Sequence, residues 1–315
     1  CVKQQSKQWI SVCLLLLAAV IWGTAFVAQQ VGMEHVGPFT FTFVRNVLAV
    51  IALTPLMLLG VGRLKKGTDV SDEQFAAEQK TSNRLLWKSG ITIGLLLTVA
   101  MNTQQIGLLY TTPGKAGFIT AFYIVLVPIF LFFKGRRLHP VIWLAAVMAF
   151  IGLFLLTINE ALAIGLGEVL VFICAVVYTF HILVIERVSP FVDTIRLSAI
   201  QFAVCAVISG ILMLIFEIPE LAAIFRAWPS LVFAGVFSSA IAYTLQIYGQ
   251  SRLSAPVASL ILSLEASFAV LAGWIILSHS LTAREAVGVT LMFAGVVLAQ
   301  SPGLMALRAK SVRPR

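Results

Sequence analysis

Three side chains in this sequence carry a formal charge amid apolar neighbours. Glu265 stands inside SLILSLEASFAVLAGWIIL, Arg45 inside FTFVRNVLA, and Lys115 just after Pro113-Gly114 at the start of another apolar run. An ionisable group at the centre of a lipid-embedded helix costs about 2.5–3.5 kcal/mol even on permissive insertion scales, so such a group must face protein or a water-filled cavity. Glu265 could meet a solute or a proton, or bond a neighbouring helix as a structural group. Lys115 lies against the positive end of a helix dipole. It calls for an anionic partner, either Glu265 or the carboxylate of a bound molecule, unless its stem reaches out to the interface. Arg45 poses the same choice between a solute and a structural pair.

Uncharged polar residues fall at helical spacing near these three. Thr98, Asn102 and Gln105 share one face of the third apolar run, and Ser239, Tyr243, Gln246 and Gln250 one face of the eighth. Such stripes should avoid lipid, either by lining a cavity or by bonding between helices. Ser259, Ser263 and Ser267 lie opposite Glu265, which gives the ninth run protein on both sides. Tyr178 and His181 are one turn apart in the sixth, where His181 serves either as a packing residue or as a proton relay. Trp22, Phe26, Tyr110 and Tyr123 could stack on an apolar substrate or act as packing and interface anchors.

The residues needed for covalent chemistry are missing from this pattern. There is no P-loop, no HExxH, no GxSxG and no carboxylate pair suited to hydrolysis, so neither an enzyme nor a built-in ATPase is expected. Cys1, Cys13, Cys174 and Cys205 lack CxxC spacing or a nearby histidine, so no metal, cofactor or disulfide framework is expected. The formal net charge is +9, but the basic residues lie between apolar runs instead of forming one patch, which argues against a nucleic-acid partner.

The elements that position these residues follow from composition. Of 315 residues, 60% are hydrophobic and 11% charged, against about 25% charged in a soluble domain. Ten apolar runs can be read: Ile10 to Ala28, Phe39 to Leu59, Gly90 to Tyr110, Ala116 to Phe133, Val141 to Ile158, Gly167 to Val184, Leu197 to Phe216, Leu231 to Tyr248, Ala255 to Leu277 and Thr282 to Gln300. In hydrocarbon the backbone must satisfy itself, and runs that are continuous instead of alternating exclude a barrel. The expected fold is an all-α integral membrane protein. Gly90, Gly94, Gly235 and Ser239 mark places where helices could approach closely.

Ten spans put Lys3, Lys7, Arg63, Lys65, Lys66, Lys80, Arg84, Lys88, Lys134, Arg136, Arg137, Arg187, Arg196, Arg252, Arg308, Lys310, Arg313 and Arg315 on one side. Only Lys115, Arg226 and Arg284 fall on the other, so both termini are expected in the cytoplasm. The loop 60–89 reads as a solvated cytoplasmic connector. The first run lacks a small-residue cleavage site and is read as a helix, and Cys1 either as the start of a shortened chain or as a lipidated mature N-terminus.

The two halves echo each other weakly, Gln105-Ile106 in Gln246-Ile247 and Leu138, Phe150 and Gly152 in Leu281, Phe293 and Gly295. Five spans is an odd number, so two five-helix halves on one chain enter the membrane with opposite orientation. The division expected is residues 1–160 for the first repeat, 161–301 for the second and 302–315 for a basic cytoplasmic tail. Two inverted repeats around polar faces point to a secondary carrier of a small metabolite, driven by a proton or a counter-substrate. The alternatives are a flippase of a lipid-linked intermediate and a non-transporting membrane accessory subunit.

Four segments in order, AAVIWGTAFVAQ, FTFVRNVLA, YTTPGKAGFITAFYIVLVPIFLFF and SLILSLEASFAVLAGWIIL, resemble the drug/metabolite transporter superfamily, EamA-type, over residues 10 to 300. The resemblance implies two five-helix repeats around a central cavity. It also implies movement of amino acids, related metabolites or toxic analogues, usually outward, which in a bacterium means across the inner membrane. Where that family commonly has Glu-Pro in the ninth helix this chain has Glu265-Ala266, removing the proline that would kink it, whereas Pro128 keeps one in the fourth.

Overall fold

The computed structural model describes residues 2–60, 72–157, 165–277 and 282–312. The elements among them are all helical: α1 (Val2–Met33), α2 (Pro38–Leu58), α3 (Asp72–Gly107), α4 (Pro113–Thr120), α5 (Tyr123–Phe133), α6 (Pro140–Thr157), α7 (Leu166–Val188) and α8 (Thr194–Phe216). There follow α9 (Leu221–Arg226), α10 (Trp228–Val232), a π-helical stretch (Phe233–Tyr243), α11 (Thr244–Gln250), α12 (Ala255–Leu262), α13 (Glu265–Leu277) and α14 (Ala283–Val312). Each of the ten apolar runs falls on helix, with Ile158 outside the described residues. Among the described residues, 8 helical stretches are long and apolar enough to cross a bilayer, and the fifth and ninth runs give the shorter apolar stretches Pro140–Leu156 and Ala255–Leu271.

Two stretches read as loop and tail differ. Residues 61–71 lie outside the described residues, but from Asp72 onward the supposed connector is helix continuous with α3. Asp72 to Ser89 contains no Gly or Pro and is rich in Glu, Gln, Lys, Ala and Leu, all strong helix formers. Likewise α14 runs on to Val312, into the segment read as a tail.

The molecule is inverted relative to a soluble protein. Large apolar side chains face outward, with Leu58 80% and Ile218 93% exposed, while Gln29, Arg45, Asn46, Asn102, Gln104, Gln105, His181, Gln201, Gln246, Gln250 and Glu265 are buried. With lipid as the outer solvent, the interior is the only place where those groups find partners.

Small residues set the helix contacts. A Cβ on Gly152 of α6 would come within 2.6 Å of the Gly288 carbonyl on α14, and one on Gly288 within 2.7 Å of the Gly152 carbonyl. The expected close approaches are present: Gly90 and Gly94 in α3 meet Ile200 and Val204 of α8, and Gly235 meets Leu48 and the Arg45 carbonyl of α2. α3 also packs on α7, and α2 on α8. α1 runs against the π-helical stretch, α11, α12 and α13.

Two apolar segments are broken in the middle. α4 gives way to α5 at Ala121-Phe122, and α12 to α13 at Ser263-Leu264, without a proline at either turn. At the second break the amides of Leu264 and Ala266 bond back three residues, to Ile261 and Ser263, in place of four. Ser263 Oγ donates to the Leu260 carbonyl at 2.8 Å, so a serine hydroxyl covers a carbonyl that the turn releases.

Carboxylates tie the helix ends together. Glu217, just after α8, accepts from the amides of Phe39 and Thr40 at the start of α2, both at 2.8 Å, and from Thr40 Oγ1 at 2.6 Å. Glu186 of α7 accepts from the Ala255 amide at the start of α12 and pairs with Arg136, all at 3.0 Å.

Candidate functional site

Both breaks open onto the same cavity. Thr120 and Tyr123 flank the first, and Leu262 and Glu265 the second. α1 contributes Trp22, Ala25, Phe26 and Gln29, which recur at intervals of three, four and seven residues and so share one helical face. Arg45 comes from α2, Gln104 from α3, Tyr178 and Ile182 from α7, Ser238 and Tyr243 from the π-helical stretch, and Gln246 from α11. The cavity volume is about 50 Å³. The cavity thus has room for a few waters but is too constricted for a bulky solute unless side chains move.

Arg45 is buried. Its Nη1 donates to Gln29 Oε1 at 2.9 Å, Nε to Ser239 Oγ at 3.2 Å and Nη2 to Ser238 Oγ at 3.3 Å. Trp22 Nε1 donates to the Ser238 carbonyl at 2.9 Å, and its ring meets Tyr243 edge-on at 4.7 Å. The hydroxyls of Tyr178 and Tyr243 are 2.6 Å apart. Across the cavity the Tyr123 hydroxyl approaches Glu265 Oε1 at 3.5 Å, and Gln104 Nε2 donates to Thr120 Oγ1 at 3.0 Å. Gln246 Oε1 is buried with no partner among the described residues.

The π-helical stretch explains why both Ser238 and Tyr243 face this space. A π-turn bonds i to i+5, so residues five apart in it align on one face, whereas an ordinary helix would pair Ser239 with Tyr243. Among the described residues the lining holds one cation, one carboxylate, amides, phenols and an indole. No group of three His, Cys, Asp or Glu able to hold a metal occurs among the described residues. This chemistry can bind and release a small polar or amphipathic molecule.

Of the residues singled out from sequence, Glu265, Arg45, Tyr243, Gln246, Tyr178, Trp22, Phe26 and Tyr123 line the cavity together. Lys115, Asn102, Gln105 and His181 lie elsewhere. Lys115 is half-buried at the start of α4, within electrostatic reach of Glu168 on α7. Asn102 joins α3 to α8 by donating to Ser209 Oγ at 2.9 Å. Gln105 is buried with Nε2 unpartnered among the described residues. His181 Nε2 lies 3.0 Å from Gln201 Oε1 on α8. Sequence reasoning missed Gln29, Gln104, Thr120 and Ser238. Gln29 could have been found from its seven-residue interval to Trp22.

The family model described as "EamA-like transporter family" matches residues 9–158 and 165–300. An uncharacterized transporter of Archaeoglobus fulgidus is 27% identical over 289 residues, covering 90% of this chain and 83% of that protein. The uncharacterized transporter YoaV of Bacillus subtilis is 22% identical over 295 residues, covering 90% of this chain and 94% of its own. A crystal structure described only as that of a protein shares the fold with a TM-score of 0.72 at 19% identity, over 95% of this chain and 98% of that one.

Proposed function

The chain belongs to the EamA-like transporter family, an integral membrane class, and from that premise we propose that it is a secondary transporter. It works as an exporter or exchanger that moves a small metabolite, such as an amino acid or related compound, across the cytoplasmic membrane by alternating access. The observation that carries this reading is the Tyr123–Glu265 contact. The two residues lie 142 apart, each begins the helix after a break, and they face each other across one cavity. Broken helices meeting at a polar centre are how many carriers build a solute site.

Helix packing supports two oppositely inserted five-helix repeats. Gly152 meets Gly288 and Gly295 meets Ala145 at the α6–α14 contact, and exchanging residues 143 apart (152 with 295, 145 with 288) turns one contact into the other. Exchanging the helices of the two halves in chain order likewise maps α3 on α7 onto the π-helical stretch and α11 on α1. It also maps α4 and α5 on α7 onto α12 and α13 on α1. Repeats that can swap conformations give inward-open and outward-open states of similar energy, and the constricted cavity fits a closed state between them. The lysine and arginine bias supports a bacterial inner-membrane protein with both termini cytoplasmic.

Within this mechanism Glu265, Arg45, Gln246, Tyr178, Tyr243, Trp22 and Tyr123 bind solute or couple it to a proton or counter-substrate. Lys115, Asn102, Gln105 and His181 hold the surrounding helices. The test is flux in proteoliposomes, with a panel of labelled amino acids and metabolites under imposed proton gradients. At least one solute should move, and Glu265→Gln should lose that flux or its dependence on the gradient while remaining monodisperse. If no panel member moves under any gradient, the carrier reading fails. Unchanged flux and proton dependence in the variant removes the role of Glu265.

A further inference from the structure

Arg45 and Glu265 line one cavity with opposite formal charge, yet the partners of each among the described residues are neutral. A guanidinium offers five N–H donors. The bonds to Ser239, Gln29 and Ser238 use the Nε hydrogen and one hydrogen on each terminal nitrogen. Among the described residues, one N–H on Nη1 and one on Nη2 remain unengaged. Arg45 is 3% exposed, and a charge held that deep without a counter-charge is strongly unfavourable. Joining α2 to two serine hydroxyls and an amide does not in itself require a charge, since neutral donors make such bonds without that penalty.

A second observation points the same way. Gln246 lines the same cavity at 2% exposure with its Oε1 unpaired among the described residues. The protein therefore leaves both donor and acceptor capacity unused in one space, as a site does when a ligand completes it.

We propose that the cavity selects solutes that carry a carboxylate, and that Arg45 binds this group through its two unengaged N–H donors. The assignment takes its context from the carrier reading and adds the substrate class. A carboxylate presents two oxygens at the spacing of a guanidinium fork. Among the described residues Arg45 is the sole basic side chain in the lining, which suits a singly charged acid over a phosphate dianion. Trp22 and the Tyr178–Tyr243 pair supply apolar walls for the body of the molecule.

The test compares matched acids and primary amides of the same skeleton, aliphatic, aromatic and amino-substituted, by ligand-induced thermal shift of the purified full chain in detergent. At least one acid should bind about tenfold or more tightly than its amide, a difference of about 1.4 kcal/mol. Arg45→Gln should abolish that preference, and Arg45→Lys, which keeps the charge but loses the fork, should retain the preference at lower affinity. No stabilisation by any acid, equal stabilisation by acid and amide in the wild type, or a preference that survives in Arg45→Gln overturns the assignment. Flux on the same preparation separates the two readings. Movement of neutral solutes without acid preference overturns the carboxylate assignment and leaves the carrier standing, whereas acid binding without flux does the reverse.

Discussion

Gly23 offers a quantitative test of how α1 carries its share of the cavity. A Cβ built there would lie 2.6 Å from the Glu265 carbonyl and 3.0 Å from the Ala269 amide nitrogen, where ordinary contact begins near 3.4 Å. Both neighbours are backbone, so Gly23→Ala forces α1 and α13 apart by about 0.8 Å. Overpacking of this kind destabilises by about 1–3 kcal/mol, partly offset by the roughly 0.8–1.0 kcal/mol advantage of Ala over Gly in a helix. Gly117→Ala in α4 is the matched control, because its nearest foreign atom, on the Phe26 ring, is 3.8 Å away. The propensity gain is common to both variants, so the difference between them isolates the clash at about 1–3 kcal/mol. Denaturant titration in detergent micelles measures it. If Gly23→Ala proves as stable as Gly117→Ala, α1 does not lie directly on the turn that presents Glu265.

The carboxylate ties make two further predictions. Glu217→Gln replaces a group that accepts three hydrogen bonds with one that has a single acceptor oxygen, so the α2 start should weaken by about 0.5–2 kcal/mol. Faster amide exchange at Phe39 and Thr40 would register the change, and unaltered exchange would refute it. Glu186→Ala should destabilise more than Arg136→Ala. The side-chain exposures of Arg136 and Glu186 are 48% and 18%, so their ion pair is worth at most about 1 kcal/mol, whereas Glu186 also accepts from the Ala255 amide. Equal melting temperatures for the two variants would contradict this.

How much of this was legible in the sequence depended on which force set each feature. The apolar runs were readable because lipid leaves the backbone no partners but its own, so Ile10 to Ala28 has no alternative to helix. The burial of Glu265 and Arg45 followed from the same cost. The break before Glu265 was not legible. A proline would have announced it, but here hydrogen bonds between residues three apart and the Ser263 hydroxyl do the work, and serines in an apolar run equally suit a straight helix. Ser238 was hidden for a related reason, since the π-helical stretch changes the period on which the eighth face was counted. Gln104 was missed beside Gln105 because helical spacing from Asn102 does not separate the interior of a bundle from the cavity within it.

The proposed symmetry is open to a direct test at Tyr123 and Glu265. If the repeats are related by a two-fold axis in the membrane plane, these residues occupy one position seen from opposite sides, and the carboxylate belongs to the pair more than to either helix. Glu265→Tyr alone removes the carboxylate, and flux should fall to that of empty liposomes. Adding Tyr123→Glu returns the carboxylate to the equivalent position in the first repeat, still facing a phenol at contact distance. The double variant should recover measurable flux. Because the exchange inverts inside and outside, the side of the membrane on which a change of pH acts more strongly should also reverse. A double variant that is monodisperse and thermally as stable as the single one, yet equally inactive, would mean that the two positions are not interchangeable. The 142-residue spacing would then be a coincidence of helix and loop lengths, and the shared cavity would have to be explained without symmetry.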